Sequence, residues 1–484
     1  MKSVFFIASL VIFLSLVTTS HAIVSSFGMK EGEIRQKWTG DYDGIVEERV
    51  IRALVPVSKT FYFLDGATQR GLTYEGLKEF EKYVNKREKT KTLKINLVII
   101  PTPRNRLFSD LQKGIGDIAA GNLTITDKRS KLVDFSKPFA TGIDEVVVTG
   151  KAEPPLKSLF DLSGRTVFAR KSSSYYDSLV KLNKGLEEMG RKPVELVAAD
   201  EYLEDEDLLE MMNAGVIPII VIDSHKGEFW AKIFKNIVFY PDIKVNTGGE
   251  IAWAFRKNSP KLQAVINEFV KKNKQGTLMG NILIKRYLSD TKYIQNNLSD
   301  QEIDKFNKVV ALFKEYGSQY DFDWLMLAAL SYQESQLDHS KRSKAGAVGI
   351  MQVLPSTAKD PNVGIPSIEK LDHNIHAGTK YLRFMVNRYY ANEAMDELNK
   401  GLFAIASYNA GPAKVAKLRR EAAQKGLDPN VWFNNVEIVA ARRIGRETVQ
   451  YVSNIYKYYI AYKIIVQKQN VKQVKKSLLN EHYR

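Results

Sequence analysis

Ala329–Gln352 reads ALSYQESQLDHSKRSKAGAVGIMQ. Just upstream, Trp324, Leu327 and Leu330 recur at helical spacing, and Glu334 falls in phase with them. A carboxylate on the apolar side of a helix is costly unless it is paired or protonated. Burial disfavours its charged form and raises its pKa, which is how a general acid is made at neutral pH. Gly346, Gly349 and the Met351-Gln352 pair follow and read as a tight, close-packed turn. Alone, such a glutamate is equally well a satisfied residue at a helix end.

Two later stretches weigh against that bland reading. Ser407–Gly411 reads SYNAG and Glu447–Val452 reads ETVQYV. Together with Glu334-Ser335, Ser343 nine residues on, and Gly346–Gln352, their order resembles the soluble-type lytic transglycosylase domain, a relative of goose-type lysozyme. The resemblance implies an all-α domain of the α+β lysozyme-like kind, with Glu334 as catalytic residue. It also implies that Ser343, Met351, Gln352, Tyr408, Asn409 and Tyr451 meet the glycan. In that reading Glu334 protonates the glycosidic oxygen between N-acetylmuramic acid and N-acetylglucosamine in peptidoglycan. As carboxylate it then deprotonates the muramic acid's own 6-hydroxyl, closing a 1,6-anhydro ring without water. One acid/base suffices when its pKa lies near the working pH. Asp338, one turn on, faces the polar end of the helix and reads as a surface residue or cap. Glu447 reads as a brace to backbone near the active helix.

Length suggests two or three domains, each able to bury a core. Lys and Arg number 71 against 55 Asp and Glu, a net charge of +16. Acidic polymers and membrane surfaces suit that balance, and a solvated basic surface explains it as well. The N-terminus explains why nucleic acid is not expected as a partner. Lys2 precedes an apolar run from Val4 to Val17, and Ser20 and Ala22 are small residues at the spacing a signal peptidase reads. Residues 1–22 are therefore expected to be a secretory signal, the run being short for a bilayer span. That places the protein in the periplasm, with peripheral contact to the outer membrane through its basic surface. The chain has no cysteine, which excludes disulfides and a lipid anchor on an N-terminal cysteine.

After an irregular lead-in (23–48), strand and helix patterns alternate. Strands are expected at Arg49–Val57, Ile95–Ile100, Asp117–Ala120, Glu145–Val148, Thr166–Ala169, Val194–Val197, Ile217–Ile222, Ile237–Phe239 and Glu250–Phe255, with helices between them. Lys151–Pro155 is a candidate interlobe connection. Two α/β lobes with a ligand cleft at the strands' carboxyl ends follow from this order. Gly71–Glu75, Gly116–Arg129, Val133–Phe139 and Asp161–Arg165 sharpen it, because they resemble periplasmic amino-acid-binding proteins over Val50–Lys272. The resemblance implies that Arg129 grips a ligand carboxylate and Thr124 lies beside it. Asp223 would receive the ligand's ammonium group, and Arg170 and Ser174 would come from the second lobe's contact loop. An amino acid or muropeptide ligand is implied. Asn122 departs from the pattern, standing where many relatives have glycine or another small residue.

The resulting division is a substrate-binding-protein-like domain (49–275), a polar linker (276–298) and a helical transglycosylase domain (299–484). Ser299 with Glu302 fits a capping box at the second domain's start. The basic tail, Lys468 to Arg484, reads as a solvated face or an acidic-surface contact. The histidines, His339, His373 and His376 among them, form no recognisable ligand set, and no cofactor or metal is expected. The rival reading is a periplasmic sensor whose C-terminal domain only binds glycan.

Overall fold

The computed structural model describes residues 37–65, 68–291, 300–391, 394–445, 447–456, 458–460, 462–463 and 466. The expected signal segment, the lead-in before residue 37, Ser299 of the capping box and the basic tail from Lys468 lie outside the described residues.

The first half is built on one mixed sheet. Its strands are β1 (Val50–Val55), β4 (Asn96–Pro101), β5 (Ile118–Thr124), β6 (Asp134–Phe135), β7 (Ala140–Gly150), β8 (Thr166–Arg170), β9 (Glu195–Ala199), β10 (Ile219–Asp223) and β11 (Ile237–Phe255). A separate hairpin pairs β2 (Phe63–Asp65) with β3 (Thr68–Arg70). The order β4-β1-β5-β11-β7-β10-β8-β9, with β6 beside β11, divides into two lobes. Parallel β1, β4 and β5 form the first. Parallel β8, β9 and β10 form the second. Both lobes bury their strands in apolar residues on each face, as parallel strands require.

The lobes are joined within β7 and β11. The end of β11 pairs with β5 in the first lobe, while its start, Ile237–Tyr240, pairs with Val147–Gly150 beside the second lobe's β10. The crossing thus precedes Lys151–Pro155, which corrects the interlobe connection expected there. Lys151 instead donates its backbone N–H to Asn236 O at 2.9 Å, within the second lobe. The two strands expected at 237–239 and 250–255 are the ends of one strand. Its polar, glycine-containing middle hides that continuity, and the ladder there is broken by successive register shifts.

A second difference concerns the expected linker. Leu278–Leu288 is a helix, capped by Thr277, whose hydroxyl accepts from Gly280 N at 3.3 Å. It packs on the helix Leu72–Arg87 (α1), to which it is bonded by Tyr287 and Arg286 through Glu75. Polar flanks and an apolar composition without a single clear stripe make it unreadable as an amphipathic helix.

Among the described residues the second half is helical apart from isolated bridges linking Arg342, Val348 and Val353. Its principal helices are Asp300–Gln319 (α2), Trp324–Ser335 (α3), Leu371–Tyr389 (α4) and Glu397–Ala410 (α5), and residues 447–456 are helical too. Helix α3 is buried along most of its length, from Leu325 to Ser331. The α/β and helical halves share one apolar cluster, in which Leu54, Val98, Ile100 and Leu107 join Phe313, Leu327, Val452 and Ile455.

One ion pair stands at that junction. Arg49 donates to Glu437 Oε2 at 2.6 Å and to Asn434 Oδ1 at 2.7 Å, and the Glu437 side chain is only 2% exposed. Removing one partner of a buried pair leaves an uncompensated charge, a loss of roughly 3–5 kcal/mol. Arg49→Ala should therefore lower stability in denaturant titration by about that amount, and the double variant Arg49→Ala/Glu437→Gln should recover much of it.

Candidate active site

Helix α3 ends abruptly after the glutamate. Gln336 and Leu337 both adopt left-handed backbone (φ 60° and 63°), a conformation that is unusual for a branched side chain and turns the chain at once. Ser335 fastens the helix end to the following turn, its Oγ lying 2.7 Å from Ile350 O and 3.1 Å from Ser331 O.

Glu334 is largely withdrawn from water. Burial pushes its carboxyl up to about 7 from an ordinary 4.5, and a hydrogen bond from the Tyr451 hydroxyl to Oε1 acts in the opposite sense. A group poised near neutrality can give and then take a proton. Tyr408 donates to Met351 O at 2.8 Å, and its own ionisation is suppressed by burial and by the neighbouring Glu334. Glu334, Tyr408 and Tyr451 are thus brought together from three separate segments.

The other residues expected on the glycan are each held by local bonds. Ser343 accepts Ala347 N on its hydroxyl at 2.9 Å, closing the loop before the glycine turn. Gln352, in left-handed conformation at φ 48°, donates its amide to Gly349 O at 2.8 Å and Lys341 O at 3.2 Å. Asn409 is exposed and accepts from Thr448 Oγ1 at 2.7 Å. Met351 needs correction as a sugar contact: its side chain is fully buried and packs on Gly378 of α4, where a Cβ would lie 2.6 Å from its sulfur. What Met351 offers at the centre is its backbone carbonyl. The brace expected of Glu447 falls to the next residue, since Glu447 is exposed and Thr448 is buried. Asp338 is exposed and caps Ser340 through its N–H at 2.9 Å and its hydroxyl at 2.6 Å.

The motifs of the sequence do not single out Asn374, yet it shapes the site. Fully buried on α4, it accepts Met351 N at 3.0 Å and donates to Val348 O at 2.8 Å and Ile368 O at 3.0 Å. It therefore holds both sides of the Gly346–Gln352 turn. Gly349 (φ 79°) must be glycine, because a Cβ there would come within 2.7 Å of Asn374 and of His339. The one sequence signal for Asn374 is its phase: it falls on the same face of α4 as Gly378, Leu382 and Met385, a polar residue in a buried stripe.

In the first half, the strands' carboxyl ends gather the expected ligand residues. Thr124 ends β5, Arg170 ends β8 and Asp223 ends β10. Arg129 reaches across the cleft, donating to Thr124 O at 2.7 Å and to Ser172 O at 2.9 Å. Ser174 Oγ stands 3.5 Å from Thr124 Oγ1. Arg170, 2% exposed, is turned into the second lobe, where it pairs with Asp205 and donates to Leu203 O at 2.6 Å. It braces the lobe rather than facing the cleft, which corrects its expected contact role. Arg104 of the first lobe holds Glu204 of the second in a buried ion pair at 2.8 Å.

Both halves have known relatives. Residues 63–289 match the family of bacterial extracellular solute-binding proteins, family 3, and residues 311–430 match the transglycosylase SLT domain. Proteins named membrane-bound lytic murein transglycosylase F match across both. That of Desulfosudis oleivorans is 29% identical over 82% of this chain and 86% of its own. That of Shewanella halifaxensis is 29% identical over 82% of each. The chain is a homologue of these lytic murein transglycosylases. Among solved structures, an ancestral arginine-binding protein bound to arginine covers 50% of this chain and 98% of its own, at 19% identity and a TM-score of 0.42. The chain joins a two-lobed α/β half that matches the solute-binding family to a helical half that matches the SLT domain.

Two outcomes follow from the site. Tyr451→Phe removes a bond that favours the charged form of Glu334, so the alkaline limb of the pH–activity profile should move upward, by about one pH unit. Asn374→Ala strands three backbone groups at the turn, each worth about 1–3 kcal/mol when buried unpaired. Thermal unfolding should show a large destabilisation, and activity should fall with it.

Proposed function

We propose that this chain is a peptidoglycan lytic transglycosylase in which Glu334 is the sole acid/base. The observation that carries this is the buried, neutral-range carboxyl of Glu334 at the end of α3 beside Tyr451 and Tyr408. Protonated Glu334 gives its proton to the glycosidic oxygen as the bond from C1 of N-acetylmuramic acid breaks. The muramic 6-oxygen closes on C1, and its proton returns to the Glu334 carboxylate. The cycle balances without water and restores the starting acid. Ser343, Gln352 and Asn409 would hold the glycan on either side. The homologues' name, murein transglycosylase, supports the substrate.

The name also says membrane-bound. Among the described residues no helix is long and apolar enough to cross a membrane. Export by the N-terminal segment into the periplasm, with peripheral attachment through the basic surface, is the reading we favour for location.

The solute-binding half would tune the catalytic one. Tyr332, two residues before Glu334, packs edge-on to Tyr458 at 4.8 Å, and both tyrosines lie in electrostatic reach of Tyr74 on α1. The halves also share one apolar cluster, so a ligand that favours one lobe position would bias activity if that position changes the packing on α3.

Digestion of purified murein by the protein, read by mass spectrometry, should yield 1,6-anhydromuropeptides. Glu334→Gln should lower the rate by about 10²–10⁴-fold. Reducing-end products would instead indicate hydrolysis, and no products from either protein would favour the glycan-binding sensor. The same variant has a stability signature. A carboxyl whose folded pKa is raised favours folding below its unfolded pKa, and that advantage is lost as pH rises through about 7. Glu334→Gln should thus gain Tm relative to the parent, and gain more at pH 8 than at pH 5.

A further inference from the structure

The cleft between the lobes already contains an ammonium group. Lys226, on the short helix that follows β10, directs its Nζ to Asp223 Oδ2 at 3.0 Å, to Asp205 Oδ2 at 2.7 Å and to the Tyr175 hydroxyl at 3.1 Å. The same Nζ lies 5.6 Å from the centre of the Phe61 ring and 5.8 Å from that of Tyr175. Two carboxylates and two aromatic faces are what a buried primary ammonium needs for stabilisation. Phe61 comes from the first lobe and Tyr175 from the second, so the cage straddles the cleft.

The neighbouring contacts point the same way. Asn122, which departs from the binding-protein pattern, adopts left-handed backbone (φ 56°) and donates its amide to Asp223 Oδ2 at 2.6 Å. Its carbonyl oxygen meets His225 Nε2 at 3.1 Å. At the other end, two of the five Arg129 donors are satisfied by the carbonyls of Thr124 and Ser172. Asp205 pairs with Arg170 and Lys226, and Asp223 pairs with the same Lys226 through Oδ2, its Oδ1 keeping no hydrogen-bond partner. A second ammonium entering here would face a like charge at close range in a poorly solvated site.

We propose that Lys226 is a built-in counter-ion that occupies the ammonium site of the solute-binding half, so that free zwitterionic amino acids are not its ligands. The residue acts as a specificity determinant: the cleft accepts only ligands without an α-ammonium group. This goes beyond the transglycosylase reading and is independent of it, since the test involves no murein and no turnover.

Isothermal titration of the full chain with L-arginine, L-glutamine, glycine and ethylammonium tests it. The parent protein should be silent to all four at millimolar concentration. Lys226→Ala, which leaves Asp223 uncompensated beside an ammonium-sized space, should bind ethylammonium at least ~100-fold more tightly than the parent, as expected for re-pairing a buried carboxylate. Its Tm should rise with ethylammonium concentration. Lys226→Met fills the space without charge and should gain neither property, which separates charge replacement from a general loosening of the cleft. If Lys226→Ala folds only when ethylammonium is present, that rescue also supports the assignment. Micromolar binding of any of the amino acids by the parent protein overturns it, whatever the variants do. So does a Lys226→Ala protein that folds and remains indifferent to ethylammonium.

Discussion

The chemistry proposed for this molecule depends on holding one carboxyl in a poorly solvated position. Glu334 ends a helix whose preceding turns are sunk in the core, so its carboxyl is only partly open to solvent. Desolvation raises its pKa, and Tyr451 limits how far. The opposed effects leave the group near 7, where both protonation states are accessible. The surrounding structure serves this geometry. Ser335 locks the helix end, Asn374 and Gly349 shape the turn that faces it, and the Tyr408–Met351 bond ties α5 to that turn. The unusual left-handed residues Gln336, Leu337 and Gln352 all lie here, which is where backbone strain is tolerated when packing over-determines it.

The solute-binding half is attached as a packed neighbour and not as a tethered one. A shared apolar cluster and the Arg49–Glu437 pair fix the junction. Within that half the two lobes are continuous through β7 and β11, whose broken central ladder is the natural place for bending.

The cleft is bordered by several buried charges that pair with one another. Asp205, Asp223, Arg170 and Lys226 form a buried set of opposite charges bordered by the Arg104–Glu204 pair between lobes. Such sets seldom add net stability over apolar packing, because desolvation offsets the attraction. Their value lies in specificity: Lys226 is shared by Asp205 and Asp223, and a ligand must fit what remains.

Much of this was legible in the chain alone. Alternating strand and helix periods followed by purely helical ones separated the two halves, since side-chain periodicity is a local property. The phase of Glu334 with Trp324, Leu327 and Leu330 placed it on the apolar side of its helix, and only the later SYNAG and ETVQYV stretches weighed against an ordinary helix-end residue. Other features needed the tertiary structure, because they are pairings between distant segments. Met351 belongs to the turn whose carbonyl meets Tyr408 near Glu334, yet α4 captures its side chain. Thr448 and not Glu447 faces Asn409, a difference of one position on a helix whose rotation only packing sets. β11 runs through a polar, glycine-containing middle because β7 lies alongside it. Arg170 and Lys226 owe their roles to Asp205, a residue whose sequence position says only that it starts a helix. Local pattern determines which face of an element is buried; which polar group meets which inside that interior is settled only when the elements come together.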